Sequence, residues 1–258
     1  MTAKDDKGPL FAIADIPAAL GLLSRLPVRV DFVAAQTRGP KAAWAYPVAG
    51  ALLAIIAASL AQIALFAGLP STLAAALALA SVIITTGAMH EDGLADSADG
   101  LWGGWDAARR LAIMKDSHIG TYGVLALLLS LLLRWQALSV IIEAGALWPA
   151  LIAAAMTSRA AMVPVMHMLR HARDTGLSRS VGQPPRSAAL IAVAIAAIAT
   201  LLMLHSASLV LIGIAVLTAT ACARIAHSKI GGQTGDILGA TQQIIEIAVL
   251  ISLTALLT

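Results

Sequence analysis

Apolar residues in this chain come in long blocks with few interruptions, and do not alternate with polar ones at the period of a half-buried strand. A helix needs about 20 mostly apolar residues to cross a hydrocarbon core, and somewhat fewer where the bilayer thins. Seven stretches meet that requirement: 43–67, 71–89, 121–142, 147–169, 188–204, 209–225 and 241–257. The stretch 11–26 is also apolar but is broken by Asp15, Pro17 and Arg25, a pattern that suits a helix lying in the interface. Ahead of it Lys4 and Lys7 mix with Asp5 and Asp6, and no small-residue cleavage site follows, so this does not read as a secretory signal peptide. The expected fold is all-α: a polytopic integral membrane protein with about seven transmembrane helices plus an N-terminal interfacial helix. With no Ser/Gly-rich linker and no clear internal repeat, residues 1–258 read as a single membrane-embedded domain, in which 1–42 is the interfacial N-terminal segment.

Composition agrees. Of 258 residues, 59% are hydrophobic and 12% charged, with a mean hydropathy of +0.87. Soluble domains carry about 25% charge, so a soluble globule, a coiled coil and a disordered chain are all disfavoured. The formal net charge of +3 is scattered between apolar runs, not gathered into a basic stripe, which argues against a nucleic-acid partner. Its distribution reports topology instead. Lysines and arginines precede the first span and follow the second, fourth and sixth, whereas the connections near Gly68, Gly145 and Ser206 have none. The positive-inside bias therefore predicts a cytoplasmic N-terminus, cytoplasmic segments at 90–120, 170–187 and 226–240, and a C-terminus on the other side. Cys222 is the sole cysteine, so an intramolecular disulfide and a thiolate metal site are both excluded.

The chemistry is concentrated in one place. Glu91, Asp92, Asp96, Asp99, Asp106 and Asp116 all fall within 90–123, along with His90 and His118, in a chain with 14 acidic residues in all. Such crowding asks for a counter-ion. If the second span continues as a helix past Met89, Asp92, Asp96 and Asp99 stand at i, i+4 and i+7 on one face. Hard oxygen ligands suit Mg²⁺, which binds through a few carboxylates together with substrate phosphates; Mn²⁺ remains open. Solvation of an acidic loop is the bland alternative, but these three are bracketed by Gly93, Leu94, Ala95, Ala98, Gly100 and Leu101. Glu91 suits a supporting role or plain solvation as well as ligation.

Arg109, Arg110 and Lys115 have the charge to meet the phosphate oxygens of a metal-bound diphosphate, or equally to anchor the chain at the membrane surface. Gly93, Gly100, Gly103 and Gly104 fit close approach to a ligand or ordinary turns and packing. Asp116 fits a helix cap, a metal ligand or a base. Arg159 lies inside a span, where an arginine is expensive, so its expected partner is an anionic substrate or one of the acids. Arg134, expected near Glu143 at the far end of its span, reads as snorkelling or a structural pair. In 231–243, Gly231, Gly232 and Gly235 flank Thr234 and precede Asp236, in what reads as a phosphate-cradling loop.

HEDGLADSADGLWGG followed by RRLAIMKDSHIGTYG resembles the signature of the cobalamin synthase family, the membrane adenosylcobinamide-GDP ribazoletransferases of cobamide biosynthesis. LLSRLP near the N-terminus, SRAAMVPVM, HARDTGLSR and GGQTGDILGATQQIIEIAVL extend the likeness over nearly the whole chain, in family order. The resemblance implies that α-ribazole, or its 5′-phosphate, attacks adenosylcobinamide-GDP and releases GMP, at a bacterial cytoplasmic membrane. It implies Mg²⁺ on Asp92, Asp96 and Asp99, with Asp96 and Asp99 also catalytic. Arg109, Arg110 and Lys115 would hold the GMP phosphate, Asp116 would be the base, Arg159 would face substrate, and Thr234 with Asp236 would close the site. The lipid bilayer is the other partner, and association into a homo-oligomer is left open. A likeness to CDP-alcohol phosphotransferases rests only on Asp96-x-x-Asp99-Gly100, because the rest of that motif's spacing is not kept. A secondary transporter predicts acids at the bilayer midplane, whereas these cluster at one mouth.

Overall fold

A computed structural model describes residues 9–257; the expected charge mixture at Lys4, Asp5, Asp6 and Lys7 lies outside the described residues. Twelve α-helices follow in order: α1 Asp15–Leu23, α2 Phe32–Arg38, α3 Tyr46–Phe66, α4 Ser71–Thr86, α5 Met89–Gly103, α6 Ala107–Ile113, α7 Thr121–Glu143, α8 Leu147–Met168, α9 Leu177–Val181, α10 Arg186–Leu204, α11 Ala207–Ile230 and α12 Gly235–Leu257. Six helical stretches are long and apolar enough to cross a membrane, ending at Phe66, Glu143, Met168, Leu204, Ile230 and Leu257. α4, of 16 residues, passes the same test only when joined to α5, which brings the number up to 7.

The main correction concerns that pair. The second span does not run on past Met89. Gly87 (φ 63°) and Ala88 (φ 56°) are both left-handed, which ends α4 and restarts the chain as α5 at 87° to it. Gly87 adopts this conformation without strain; Ala88 carries a Cβ into it. The acidic segment is thus a helix laid across the end of α4, and not a loop. Other boundaries move as well. The interfacial element is helical only over Asp15–Leu23, and a 3-10 turn, Gly39–Ala45, leads into the first span. α11 runs on to Ile230, so Arg224 and Lys229 sit within its last turns, and α12 begins at Gly235, which reduces the expected loop at 226–240 to residues 231–234.

Connections gather at two ends. At the basic end the Arg25 N–H reaches the Thr85 carbonyl (2.7 Å), the Arg110 guanidinium reaches the Lys229 carbonyl (2.9 Å), and Arg170 reaches that of Gly231 (2.9 Å). Here α1 is clamped by Asp15, whose carboxylate accepts from Arg38 and from the Trp44 indole at 2.7 Å. At the opposite end Ser71 donates to Glu143 (2.6 Å) and Trp148 to Gln62 (3.2 Å).

Between the ends the helices meet through small side chains. Ala54, Ala57, Ala58 and Ala61 of α3, Ala74, Ala75 and Ala78 of α4, and Ala150 and Ala154 of α8 form one buried cluster with Leu138, Ile141, Ile245 and Val249. Close backbone approach through small residues is how helices associate where lipid removes the hydrophobic drive. α8 is the central post, with 78% of its most apolar stretch buried.

Charges are buried here too. Arg134 is fully buried, so it does not snorkel; it makes a structural pair, as the alternative reading expected, but its partner is not Glu143. It reaches Glu91 of α5 at 3.2 Å and Glu246 of α12 at 3.4 Å. Arg159 of α8 lies 3.7 Å from the same Glu246. Gln243 donates to Glu91 (3.2 Å), and Gln242 donates to Glu246 (2.6 Å) and to Ser158 (3.1 Å). Two arginines and two glutamates neutralise one another and tie α5, α7, α8 and α12 together.

Candidate active site

α5 packs along the first half of α12 because Gly93 and Gly239 leave no side chain between them. A Cβ on Gly93 would stand 2.8 Å from the Asp236 carbonyl and 3.2 Å from the Gly239 Cα. This contact brings the acidic helix to the residue that opens α12. The order along its face is graded: Asp92 is exposed, Asp96 half-buried and Asp99 buried, so the shared face expected for the three leads from the opening inwards.

Asp99 has a different task from its neighbours. Its Oδ2 accepts from the Gly120 N–H (2.7 Å) and its Oδ1 from the Gly123 N–H (2.9 Å). Both oxygens accept from the first turn of α7, where unpaired amide groups and the positive end of the helix dipole favour a carboxylate. Expected beside Asp92 and Asp96 as a ligand, it also locks α5 to α7. Asp96 keeps its carboxylate free. Burial, and then the charges of Asp92, Asp236 and Asp99, push its carboxyl up to about 7 against the pull of Arg173.

The second wall comes from 169–182. The segment pairs with 231–234 through backbone bonds, Ala172 N–H to the Gln233 carbonyl and Gln233 N–H to the Arg170 carbonyl, both 2.9 Å. Gln233 is buried, accepts from the Ser178 hydroxyl (2.6 Å) and contacts His171 Nδ1 (2.9 Å). This zipper delivers Arg173 to Asp236, Nη2 to Oδ2 at 2.7 Å, with side-chain exposures of only 16% and 18%. Nη1 of Arg173 is buried without a hydrogen-bond partner. Thr234 is the N-terminal cap of α12, accepting from the Ile237 N–H (3.3 Å) and donating to Asp236 (3.2 Å). In the turn expected to cradle phosphate, the Gly231 and Gln233 amides are bonded to the His227 and Arg170 carbonyls.

Asp92, Asp236 and Arg173 border a cavity of about 240 Å³ whose inner wall is Tyr46, Met89, Met162, Met166 and Leu238. Of the residues expected at the site, Asp92 and Asp236 line this cavity, and Asp96 lies behind them within reach of both charges. Arg110 is committed to tethering α6 to α11. Arg109 and Lys115 are exposed, Lys115 donating to Thr175 of the second wall at 3.1 Å. Asp106 caps α6 through the Arg109 N–H (2.8 Å). Asp116 is exposed and accepts from the His118 N–H, with the His118 ring 2.7 Å away; this pairing holds Asp116 below the usual carboxylate range and raises His118. Arg159 belongs to the buried ion network, its partner being one of the acids. Sequence reasoning missed Arg173, His171, Ser178 and Gln233, although the HARDTGLSR stretch had been singled out, and it missed the methionine wall entirely.

Among the described residues no three His, Cys, Asp or Glu side chains are grouped closely enough to hold a metal ion by themselves. Asp92 and Asp96 nonetheless suit Mg²⁺, which takes one or two carboxylates and completes its shell with water and substrate phosphate. Burial and then the charge of Asp92 raise Asp96, and a cation between the two carboxylates would relieve the second of these.

The sequence model described as Cobalamin-5-phosphate synthase matches residues 15–254. A protein of Bradyrhizobium diazoefficiens named adenosylcobinamide-GDP ribazoletransferase is 45% identical, over 93% of this chain and 92% of its own. Proteins of the same name from Azorhizobium caulinodans and Mesorhizobium japonicum are 44% identical (92% and 94% covered) and 43% identical (94% and 93% covered). No solved structure matches. The chain belongs to the cobalamin-5-phosphate synthase family.

Proposed function

We propose that this chain is an adenosylcobinamide-GDP ribazoletransferase working at the cytoplasmic face of a bacterial inner membrane, with its basic end inward. A ribose hydroxyl of α-ribazole, or of its 5′-phosphate, attacks the phosphorus on the cobinamide side of the donor diphosphate. The new P–O bond replaces the bond to GMP, GMP leaves, and the hydroxyl proton passes to a base. The observation that carries this reading is the cleft that joins Asp92, Asp236 and Arg173, with half-buried Asp96 behind it, in a chain of this family.

Asp92 and Asp96 would hold Mg²⁺, which when bound would supply charge neutralisation at the diphosphate. Arg173 meets a phosphate oxygen with its unpartnered Nη1 while Asp236 fixes the guanidinium plane. Lys115 and Arg109, exposed beside the second wall, draw the GMP phosphate to the mouth. Asp116, kept ionised by His118, is the candidate to receive the proton. Asp99 acts by holding α5 against α7.

The test is GMP release by liposome-reconstituted protein given adenosylcobinamide-GDP and α-ribazole 5′-phosphate, with Mg²⁺ or with EDTA. Release coupled to cobamide formation, lost with EDTA and lost in Asp96→Asn, is the expected result. Turnover by folded protein in EDTA, or full Mg²⁺-dependent turnover in Asp96→Asn, overturns the metal assignment. No release at all overturns the transfer reading.

A further inference from the structure

We infer that the methionine-walled cavity beside Asp92 and Asp236 receives the aromatic base of the acceptor nucleoside, while the corrin and the guanine of the donor stay outside it. This rests on the transfer reading above. Three groups compete for the space: the corrin macrocycle, the guanine of the leaving nucleotide and the benzimidazole of ribazole. Size removes the first. The cavity holds about 240 Å³, against roughly 150 Å³ for an engineered cavity that accepts benzene. One bicyclic ring system with small substituents fits; four linked five-membered rings with their amide side chains do not.

Wall chemistry separates the other two. Guanine presents a ring N–H, an amino group and a carbonyl along one edge, and burying such groups without partners costs about 1–3 kcal/mol each. The inner wall offers Met89, Met162, Met166 and Leu238 beside Tyr46, whose hydroxyl is one polar group against guanine's three, with Leu22 and Val181 at its margins. A benzimidazole bound to ribose through one ring nitrogen keeps a single ring acceptor and is otherwise apolar. Met162 and Met166, four residues apart on α8, present adjacent thioethers on one helix face, and Met89 opens α5 one turn before Asp92. Polarisable sulfur at the edge of an aromatic ring is a favourable contact, and an unbranched side chain adapts to its outline. Since the charged rim lies on the same cavity, a base lodged against this wall leaves its ribose beside Asp92, Asp236 and Arg173.

The test uses the full chain in detergent. α-Ribazole binding is followed by equilibrium dialysis, and GMP release is measured with each substrate varied in turn. Met162→Trp fills the cavity and is expected to raise the acceptor KM at least about tenfold, as pocket-shape changes do, and to weaken dialysis binding in parallel, with the donor KM within about twofold. Met166→Ala enlarges it and should shift preference toward a riboside of a bulkier naphthimidazole base. Should Met162→Trp fail to fold, the Met166→Ala preference decides. Wild-type turnover combined with an unmoved acceptor KM in Met162→Trp, or with a shift in the donor KM instead, overturns the cavity assignment and leaves the transfer reading standing. Wild-type protein that releases no GMP defeats the transfer reading first.

Discussion

Arg134→Met isolates what the buried ion network contributes. Arg134 is fully buried and is the nearer cation to Glu91, at 3.2 Å; Arg159 lies near Glu246. Removing it leaves two carboxylates facing one arginine, in a region where Glu91 Oε2 already lacks a partner. Breaking a buried pair by deleting one member costs about 3–5 kcal/mol. For a chain of this size each kcal/mol moves Tm by about 2–4 °C, so the expected fall is about 6–20 °C. Thermal unfolding in detergent, followed by size-exclusion recovery after heating, measures it. The double variant Arg134→Met with Glu91→Gln restores neutrality, since Arg159 and Glu246 remain, and should melt above Arg134→Met alone. A single variant within 2 °C of wild type, a bound set by that same scaling, would refute the reasoning. So would a double variant whose losses simply add, because coupled charges must show an interaction energy.

Asp99→Ala should lose about 1–3 kcal/mol, because the Gly120 and Gly123 amides lose their acceptor, and hydrogen exchange at the start of α7 should speed up accordingly. Gly93→Ala should destabilise by about 1–3 kcal/mol through overpacking against α12, with GMP release falling as α5 is displaced from Asp236. Asp96 sets a pH dependence. Its folded-state pKa is raised from 3.8 to about 7, so the folded protein binds more protons than the unfolded chain between those values. Metal-free stability should therefore decline as pH rises from about 4 to about 7. Melting in EDTA at pH 5.5 and pH 8 checks the sign, and Asp96→Asn should flatten the difference; a metal-free protein more stable at pH 8 on account of Asp96 would contradict the crowding. Arg173→Ala should weaken donor binding, read as a raised KM for adenosylcobinamide-GDP.

Spans were legible because apolar length and basic-loop parity are properties of single segments. The break at Gly87–Ala88 was not, since a left-handed alanine has no mark in the sequence and MHEDG reads as continuing helix. The placement of Arg134 failed for a related reason. Proximity along α7 pointed to Glu143, whereas its true partners come from α5 and α12, 43 and 112 residues away. Asp92 and Asp236 were legible as acids in glycine-rich settings. Their junction with Arg173 depends on the pairing of 169–182 with 231–234, which only tertiary structure supplies. The methionine wall could not be read at all, because apolar side chains facing a ligand, lipid or another helix have the same composition.

The joint between α5 and α12 also orders events in the life of the chain. α12 follows every other described helix in chain order, yet it carries Asp236, the glycine against which α5 rests, and Glu246, which both buried arginines need. Until it inserts, the acidic helix has no platform and Arg134 and Arg159 lack their shared counter-charge. A nascent or truncated product is therefore left with uncompensated charge among its helices, a condition that membrane quality control can recognise. The acidic helix gains its platform and the buried arginines their counter-charge together, when α12 docks.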